Sequence, residues 1–247
     1  MTGSGIDPAG RAREDADVET SSEAYAGRFS GKVGAWFLEV QARHTLDLLR
    51  PWPRARVLDL GGGHGQLVGP LVEAGYQVTV LGSAAGCGER IWRWRDSGSV
   101  RFLAGDLLEA PFAGGAFDVV LAFRLLPHVR RWAHLVAELC RLARRAVVLD
   151  YPTQRSVNAV SGRLFTLKQR VERNTRPFRV FSEDEIAGAG RAGGFRVTGR
   201  RPQFAFPMAL HRALGNAPLS RFLEAGAARV GLTRVLGSPV VLRLEPR

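Results

Sequence analysis

The sequence predicts an α/β fold built from βαβ units around a mostly parallel sheet. Short apolar runs alternate with amphipathic segments, which is the pattern of strands joined by helical crossovers. A glycine-rich turn follows the first apolar run directly, as it does where a buried strand leads into a helix. The 247 residues are 45% hydrophobic, which is enough for one sizeable core.

The N-terminal quarter predicts a tail and a helical cap. Residues 1–20 are small, charged and weakly apolar, so we expect a flexible tail. Residues 21–54 form the expected cap, in which Trp36, Phe37 and Val40 lie near helical spacing before Pro51 ends the helix.

Seven apolar runs follow, and they predict the strands of one domain over residues 55–247. Helical insertions are expected at about 152–180 and 207–236, and Ser182 before three acidic residues is a plausible helix cap. The predicted strands are residues 55–60, 76–82, 100–106, 116–123, 145–151, 194–206 and 238–246.

Composition limits the cellular setting and the partners. No apolar stretch is long enough to span a bilayer and the N-terminus lacks a secretory signal, so we expect a cytoplasmic protein with no transmembrane segment. Two cysteines are too few for a disulfide framework, and we expect no metal site. The net charge of +12 is nearly all arginine spread along the chain, which favours a solvated basic surface over a nucleic-acid footprint.

The glycine turn, VLDLGGGHGQL at residues 57–67, points to a nucleotide-like ligand. Glycines between a strand and a helix let the backbone approach a ligand closely. A phosphate-binding loop would need Gly-Lys-Ser/Thr, which the sequence lacks. The dinucleotide fingerprint GxGxxG also fails, because Gln66 or Val68 stands at its last position.

The remaining pattern is D-x-G-x-G-x-G, formed by Asp59, Gly61, Gly63 and Gly65. Together with LAGDLLEAPF, AFDVVLAFRLLPHV and RWAHLVAELCRLARRAVVLDY in the right order, it resembles the class I S-adenosylmethionine-dependent methyltransferases over residues 55–152. The resemblance implies a doubly wound seven-stranded sheet of order 3-2-1-4-5-7-6 with an antiparallel last strand. It also implies S-adenosylmethionine as the cofactor.

Site residues follow from the resemblance position by position. The three glycines would let the turn pass under the ribose and methionine portion of the cofactor, and Asp59 would hold its amino group or the turn itself. Asp106 corresponds to the acid that accepts a hydrogen bond from the adenine amine. Leu107 beside it would pack on the adenine ring.

One position departs from the family pattern. The acid that binds the ribose hydroxyls at the end of the second strand is replaced by Gly82, followed by Ser83. Losing this acceptor removes a charged hydrogen-bond site worth about 1.5–3 kcal/mol. We expect the cofactor still to bind at Gly82 and Ser83, with the ribose held differently, and Ser83 or Gln41 could substitute in part.

The expected acceptor is a small organic molecule. The loop after the fourth strand lacks the Asn/Asp-Pro-Pro-Tyr/Phe pattern of nucleic-acid amine methylation, and it contains His128, a candidate base, and Arg124, a candidate contact for an anionic acceptor. Oxygen, nitrogen and carbon methylation all stay open. Two alternatives also remain: an RNA-directed methyltransferase, and a non-catalytic binding protein that kept the fold.

Overall fold

A computed structural model describes residues 14–156 and 178–247. It contains one seven-stranded sheet of order β3-β2-β1-β4-β5-β7-β6, in which β7 is antiparallel to both neighbours and β1 to β5 pair in parallel. The predicted fold class, strand order and antiparallel last strand are therefore confirmed. The strands are β1 Arg56–Leu60, β2 Gln77–Gly82, β3 Val100–Ala104, β4 Phe117–Ala122, β5 Ala143–Tyr151, β6 Phe195–Phe204 and β7 Ser238–Pro246.

Helices cover both faces of the sheet. We number those in the described ranges α1 Ala16–Thr20, α2 Glu23–Gly27, α3 Gly31–Leu49, α4 Val68–Glu73, α5 Trp92–Asp96, α6 Trp132–Leu142, α7 Glu183–Ala192, α8 Met208–Leu214, α9 Ala217–Arg229 and α10 Leu232–Leu236. Short 3-10 turns occur at Gly62–His64, Ala85–Ile91 and Leu126–His128.

The central strands β1, β4 and β5 are buried on both sides, because successive side chains point to opposite faces and helices cover both. Leu58 of β1 joins a cluster that includes Leu139 of α6, whereas Val57 joins a second cluster with Leu49 of α3 and Leu71 of α4. This double burial fixes the register of β1. The carboxyl ends of the parallel strands consequently meet at one edge of the sheet.

The N-terminal segment differs from the expected tail. Residues 16–20 form helix α1, and Ala16, Asp17 and Thr20 are buried. The sequence does not predict this helix because five residues are too few to show helical periodicity. An aspartate is also expected on the surface, so Asp17 gives no indication of burial. The predicted insertion at 152–180 lies mostly outside the described residues.

The cap and the C-terminal helices share a third apolar cluster. Trp36 and Phe37 of α3 pack edge-on against Phe204 of β6, with ring centroids 5.2 Å and 5.0 Å apart. His211 of α8 lies against the same rings, and its Nε2 is 2.9 Å from an oxygen of Glu224 on α9. The predicted insertion at 207–236 is therefore helical, and it is joined to the cap by aromatic packing.

Two serines, Ser182 and Ser30, each precede a helix, but only one of them caps its helix with its side chain. The Ser182 hydroxyl accepts from the Glu185 N–H, completing a capping box, whereas Ser30 before α3 makes no side-chain cap bond. We expect Ser182→Ala to lower the free energy of unfolding by about 1 kcal/mol. Ser30→Ala should lower it far less, and urea denaturation of both variants measures the difference; equal losses would contradict this reading of α7.

Candidate functional site

The glycine turn begins where β1 leaves the sheet. Gly61 has φ 76° and Gly65 has φ 71°, the left-handed region in which a side chain costs about 1–2 kcal/mol. The Gly61 N–H donates to the Leu81 carbonyl at 2.8 Å, which ties the turn to the end of β2. These two glycines are therefore required by backbone conformation.

Gly62 and Gly63 are required by close contacts instead. A Cβ on Gly62 would lie 2.1 Å from the Asp59 carboxyl group. A Cβ on Gly63 would lie 2.1 Å from the Cys87 carbonyl oxygen and 2.7 Å from the Ser21 hydroxyl. Residues 61–64 are all buried, so in this structure the turn is covered by the chain's own atoms.

Asp59 lies fully buried beneath the turn. Neither carboxylate oxygen has a hydrogen-bond partner among the described residues. Burial raises the pKa of Asp59 from its ordinary value of 3.8 to about 7. Because an unpaired buried carboxyl group is costly, this position favours a ligand that donates hydrogen bonds or brings positive charge.

The end of β2 has no space for an acidic side chain. A Cβ on Gly82 would lie 2.7 Å from the Cys87 Cβ and 3.2 Å from the Phe102 ring. The neighbouring Ser83 N–H donates instead to the carboxylate of Asp17 on α1, at 2.8 Å. An acid from a different element therefore occupies the end of β2.

Asp17 is the buried group that the sequence prediction overlooked. Its side chain is 0% exposed, and its second carboxylate oxygen has no partner among the described residues. Burial raises the pKa of Asp17, while hydrogen bonds from Ser83 and Cys87 lower it. The sequence shows an acidic residue at this position, but no local pattern indicates that its side chain is buried.

Asp106 and Leu107 follow β3 at the same edge. The Asp106 carboxylate accepts the Leu108 N–H at 2.8 Å, and Leu107 is fully buried. Gly105 between β3 and Asp106 donates its N–H to the Gly82 carbonyl at 2.9 Å. The structure thus brings Asp106 beside the end of β2, and its contact with an adenine amine stays a prediction.

Arg124 follows β4 in a left-handed conformation, with φ 57°. Its backbone N–H donates to Asp150 Oδ1 at 2.6 Å, and one guanidinium nitrogen donates to Gln41 Oε1 at 2.7 Å. Burial raises the pKa of Asp150 to about 6 despite the nearby arginine. Gln41 is therefore engaged with Arg124, which argues against its expected role beside Gly82.

The two histidines near this edge differ in surroundings. His128 is half-buried in the 3-10 turn Leu126–His128, and its ring centroid lies 5.7 Å from that of Phe178. His64 is buried in the glycine turn, where its Nδ1 accepts the Gln66 N–H at 3.2 Å. Burial and nearby arginines lower the pKa of His64 to about 3, so it stays neutral at physiological pH.

The carboxyl edge of the sheet thus combines a glycine-rich turn with buried carboxyl groups. Leu125 lies against Gly61, since a Cβ there would be 3.0 Å from the leucine Cδ2. The loop after β4 is therefore next to the turn, with Arg124 adjacent. Such an arrangement can bind a polar ligand on main-chain atoms and place a second molecule beside the β4 loop.

Other classes of site find little support in the described ranges. No group of three or more His, Cys, Asp or Glu side chains in them is placed to hold a metal ion. Among the helices that the structure describes, none combines the length and apolar character needed to cross a bilayer.

Sequence comparison identifies a family and a curated relative. A family described as a methyltransferase domain matches residues 36–199, more than half of the chain. A demethylmenaquinone methyltransferase from Beutenbergia cavernae is 34% identical over 114 residues, which span 45% of this chain and 47% of the relative. The match thus covers about half the length of that relative.

Structural comparison identifies proteins of the same fold. The magnesium protoporphyrin IX methyltransferase of Synechocystis PCC 6803, solved with S-adenosylhomocysteine, is 16% identical with a TM-score of 0.62 over 93% of this chain and 97% of that one. The 1,6-didemethyltoxoflavin-N1-methyltransferase of Burkholderia thailandensis, solved with its substrate and S-adenosylhomocysteine, is 17% identical with a TM-score of 0.61 over 93% and 86%. At these identities the likeness is one of fold.

Asp59 generates a pH prediction. Its contribution to stability is fully present below the unfolded pKa of 3.8 and is lost as pH rises through the folded pKa of about 7. We expect Asp59→Asn to raise the melting temperature relative to wild type more at pH 8 than at pH 4.5. A difference that is the same at both pH values, measured by calorimetry, would contradict the burial of a titrating Asp59.

Proposed function

Because the chain belongs to the class I S-adenosylmethionine-dependent methyltransferase family, we propose that it transfers a methyl group from S-adenosylmethionine to a small organic acceptor. The observation that carries the proposal is the turn after β1, where four glycines pass over the buried, unpartnered carboxyl group of Asp59. When bound, the cofactor supplies an electrophilic methyl group on a sulfonium centre.

The residues at the turn fit a ligand of this chemistry. Asp59 offers two acceptor oxygens to an ammonium group, and its raised pKa shows that the folded chain alone does not compensate its charge. Gly61, Gly63 and Gly65 would give main-chain contact to the methionine and ribose portion. Asp106 would accept from the adenine amine.

Cofactor binding requires the N-terminal segment to move. Ser21 lies against Gly63 and the Asp17 carboxylate occupies the Ser83 N–H, so both groups stand where a ligand on the turn and at the end of β2 would lie. Helix α1 has only five residues, and three of them, Ala16, Asp17 and Thr20, are buried. Such short segments open locally at small free-energy cost. We therefore propose that α1 covers the cleft and is displaced by the cofactor.

On the acceptor side, most of the work is positioning, because the methyl carbon must lie in line between the attacking atom and sulfur. Arg124 and His128 follow β4 next to the turn, where they would orient the acceptor. His128 would remove a proton where the acceptor is a phenol or other hydroxyl compound. Buried Leu125 and Leu126 between them would help to exclude water.

The acceptor class rests on two supports. The curated relative is named for action on a quinone precursor, and the toxoflavin enzyme is solved with a small heterocycle. The loop after β4 also lacks the motif typical of nucleic-acid amine methylation. Both support a small organic acceptor rather than an RNA.

Calorimetric titration with S-adenosylhomocysteine tests the proposed function. We expect one site per chain, with affinity lowered at least tenfold by Asp106→Ala because a charged hydrogen bond is worth about 1.5–3 kcal/mol. Glu73→Ala, an exposed acid at the end of α4, is the control. Absence of binding at millimolar ligand would contradict the proposal and favour a non-catalytic relative.

Asp17 tests the displacement of α1. Asp17→Ala removes the bond to the Ser83 N–H, so we expect S-adenosylhomocysteine to bind several-fold tighter. Asp15→Ala, on an exposed neighbour that makes no cap bond, should leave the affinity unchanged. Weaker binding by Asp17→Ala would contradict displacement, because it would mean that the carboxylate contacts the ligand.

A further inference from the structure

Two arginines from distant parts of the chain meet at one aromatic ring. The guanidinium carbon of Arg124 lies 3.7 Å from the ring centroid of Phe29, and that of Arg212 on α8 lies 5.9 Å from it. Arg212 is also 5.8 Å from the Phe37 ring, and its Nε donates to the Arg28 carbonyl at 3.2 Å. We call Arg124, Arg212 and Phe29 the arginine cluster.

The positive charges of this cluster are only partly balanced by carboxylates within residues 14–156 and 178–247: Asp150 lies near Arg124, but its carboxylate accepts the Arg124 backbone N–H rather than a guanidinium N–H. Neither Arg124 nor Arg212 forms an ion pair there, whereas Arg141, Arg144, Arg200 and Arg243 each do. The Nε of Arg124 is buried without a hydrogen-bond acceptor. A buried unpaired donor costs about 1–3 kcal/mol, and cation–π contacts return only part of that.

The positive charges of the cluster repel one another, and this repulsion adds to burial in lowering the pKa of Arg212. Partial burial of the Arg212 guanidinium beside the Phe29 and Phe37 rings lowers its pKa, and the nearby positive charges of Arg28 and Arg124 lower it further. An anion placed here would relieve both the repulsion and the unpaired donor. Because Arg212 is exposed and Arg124 is half-buried, solvent has access to the cluster.

The cluster lies where an acceptor would approach the glycine turn. Arg124 directly precedes Leu125, which packs on Gly61, and it is close enough to lower the pKa of His64 in the turn. Phe29 and Arg212 belong to the cap and the C-terminal helices and lie against Arg124, which follows β4; β1 and β2 separate that strand from β3 and Asp106. The strained φ of 57° at Arg124 directs this residue to the cluster at some conformational cost.

We propose that the arginine cluster binds a carboxylate group of the methyl acceptor, so that the protein methylates small organic acids. This inference rests on the proposed function, since it names the substrate class of the same site. A guanidinium presents parallel N–H donors that match the two oxygens of a carboxylate, and Phe29 holds the Arg124 plane in place. A neutral acceptor would bring no charge to offset the two guanidinium groups, and the Arg124 Nε would keep its unpaired N–H.

Saturation-transfer NMR with a library of aromatic and heteroaromatic carboxylic acids, each paired with its primary carboxamide, tests the proposal. The protein is used with and without S-adenosylhomocysteine, so that a failure of cofactor binding is seen separately. We expect at least one acid to bind about tenfold tighter than its amide, which corresponds to 1.4 kcal/mol. Arg124→Gln and Arg212→Gln should each reduce that preference to less than about threefold.

Matched variants separate binding from folding. Arg229→Gln, on an exposed arginine of α9, should keep the full preference, and Arg212→Lys should keep only part because it retains charge but loses the fork. Calorimetry checks that each variant folds. If Arg124→Gln does not fold, the exposed Arg212 variants decide the question.

Three outcomes would overturn the proposal. One is the absence of any acid that the wild type prefers over its amide. Another is a preference that survives in Arg124→Gln and Arg212→Gln. The third concerns the cofactor's own amino-acid carboxylate: weaker binding of S-adenosylhomocysteine by both variants, with unchanged binding of 5′-methylthioadenosine, would assign the cluster to that group instead of the acceptor.

Discussion

The contact between the Asp59 carboxyl group and Gly62 constrains the rest of this edge of the sheet. Because a Cβ at Gly62 would overlap that carboxyl group, the turn must run bare over a buried acid. The double burial of β1 fixes Asp59 at this depth, and the carbonyl of Leu81 fixes Gly61 above it. Buried polar groups in proteins nearly always have partners, and buried acids with perturbed pKa values cluster at functional sites.

Other segments of the chain cover the glycine turn in this structure. Asp17 and Ser21 from the N-terminal segment, together with Cys87 after β2, cover the turn and meet the end of β2. This cover includes a carboxylate whose burial is itself unfavourable, which lowers the free energy that holds the segment in place. A ligand that supplies hydrogen bonds to Asp59 and Ser83 can therefore compete with the helix for the same position. A turn that the N-terminal segment covers can therefore still be the proposed cofactor site.

Much of the fold could be predicted from the sequence, because its signals are local. Strand β1 ends on a motif that fits neither the phosphate-binding loop nor the dinucleotide fingerprint, and the apolar runs predict all seven strands. Asp17, Phe29 and Arg212 carry no such signal, since their roles come from contacts between distant segments. Asp17 and Ser83 are 66 residues apart, and Phe29 is 95 residues from Arg124 and 183 from Arg212. The missing acid at Gly82 was visible, but the group that fills its place was not. The roles of His128 and Arg124 in catalysis stay predictions.

The most direct measurement of the central claim is a backbone-amide NMR titration with S-adenosylhomocysteine. If the glycine turn binds the cofactor, the largest changes in amide chemical shift should fall on Gly61, Gly63, Gly65, Ser83, Asp106 and Leu107. The amides of α1 should shift as well, because the helix leaves its position. Unchanged resonances at the turn with millimolar ligand would contradict the account.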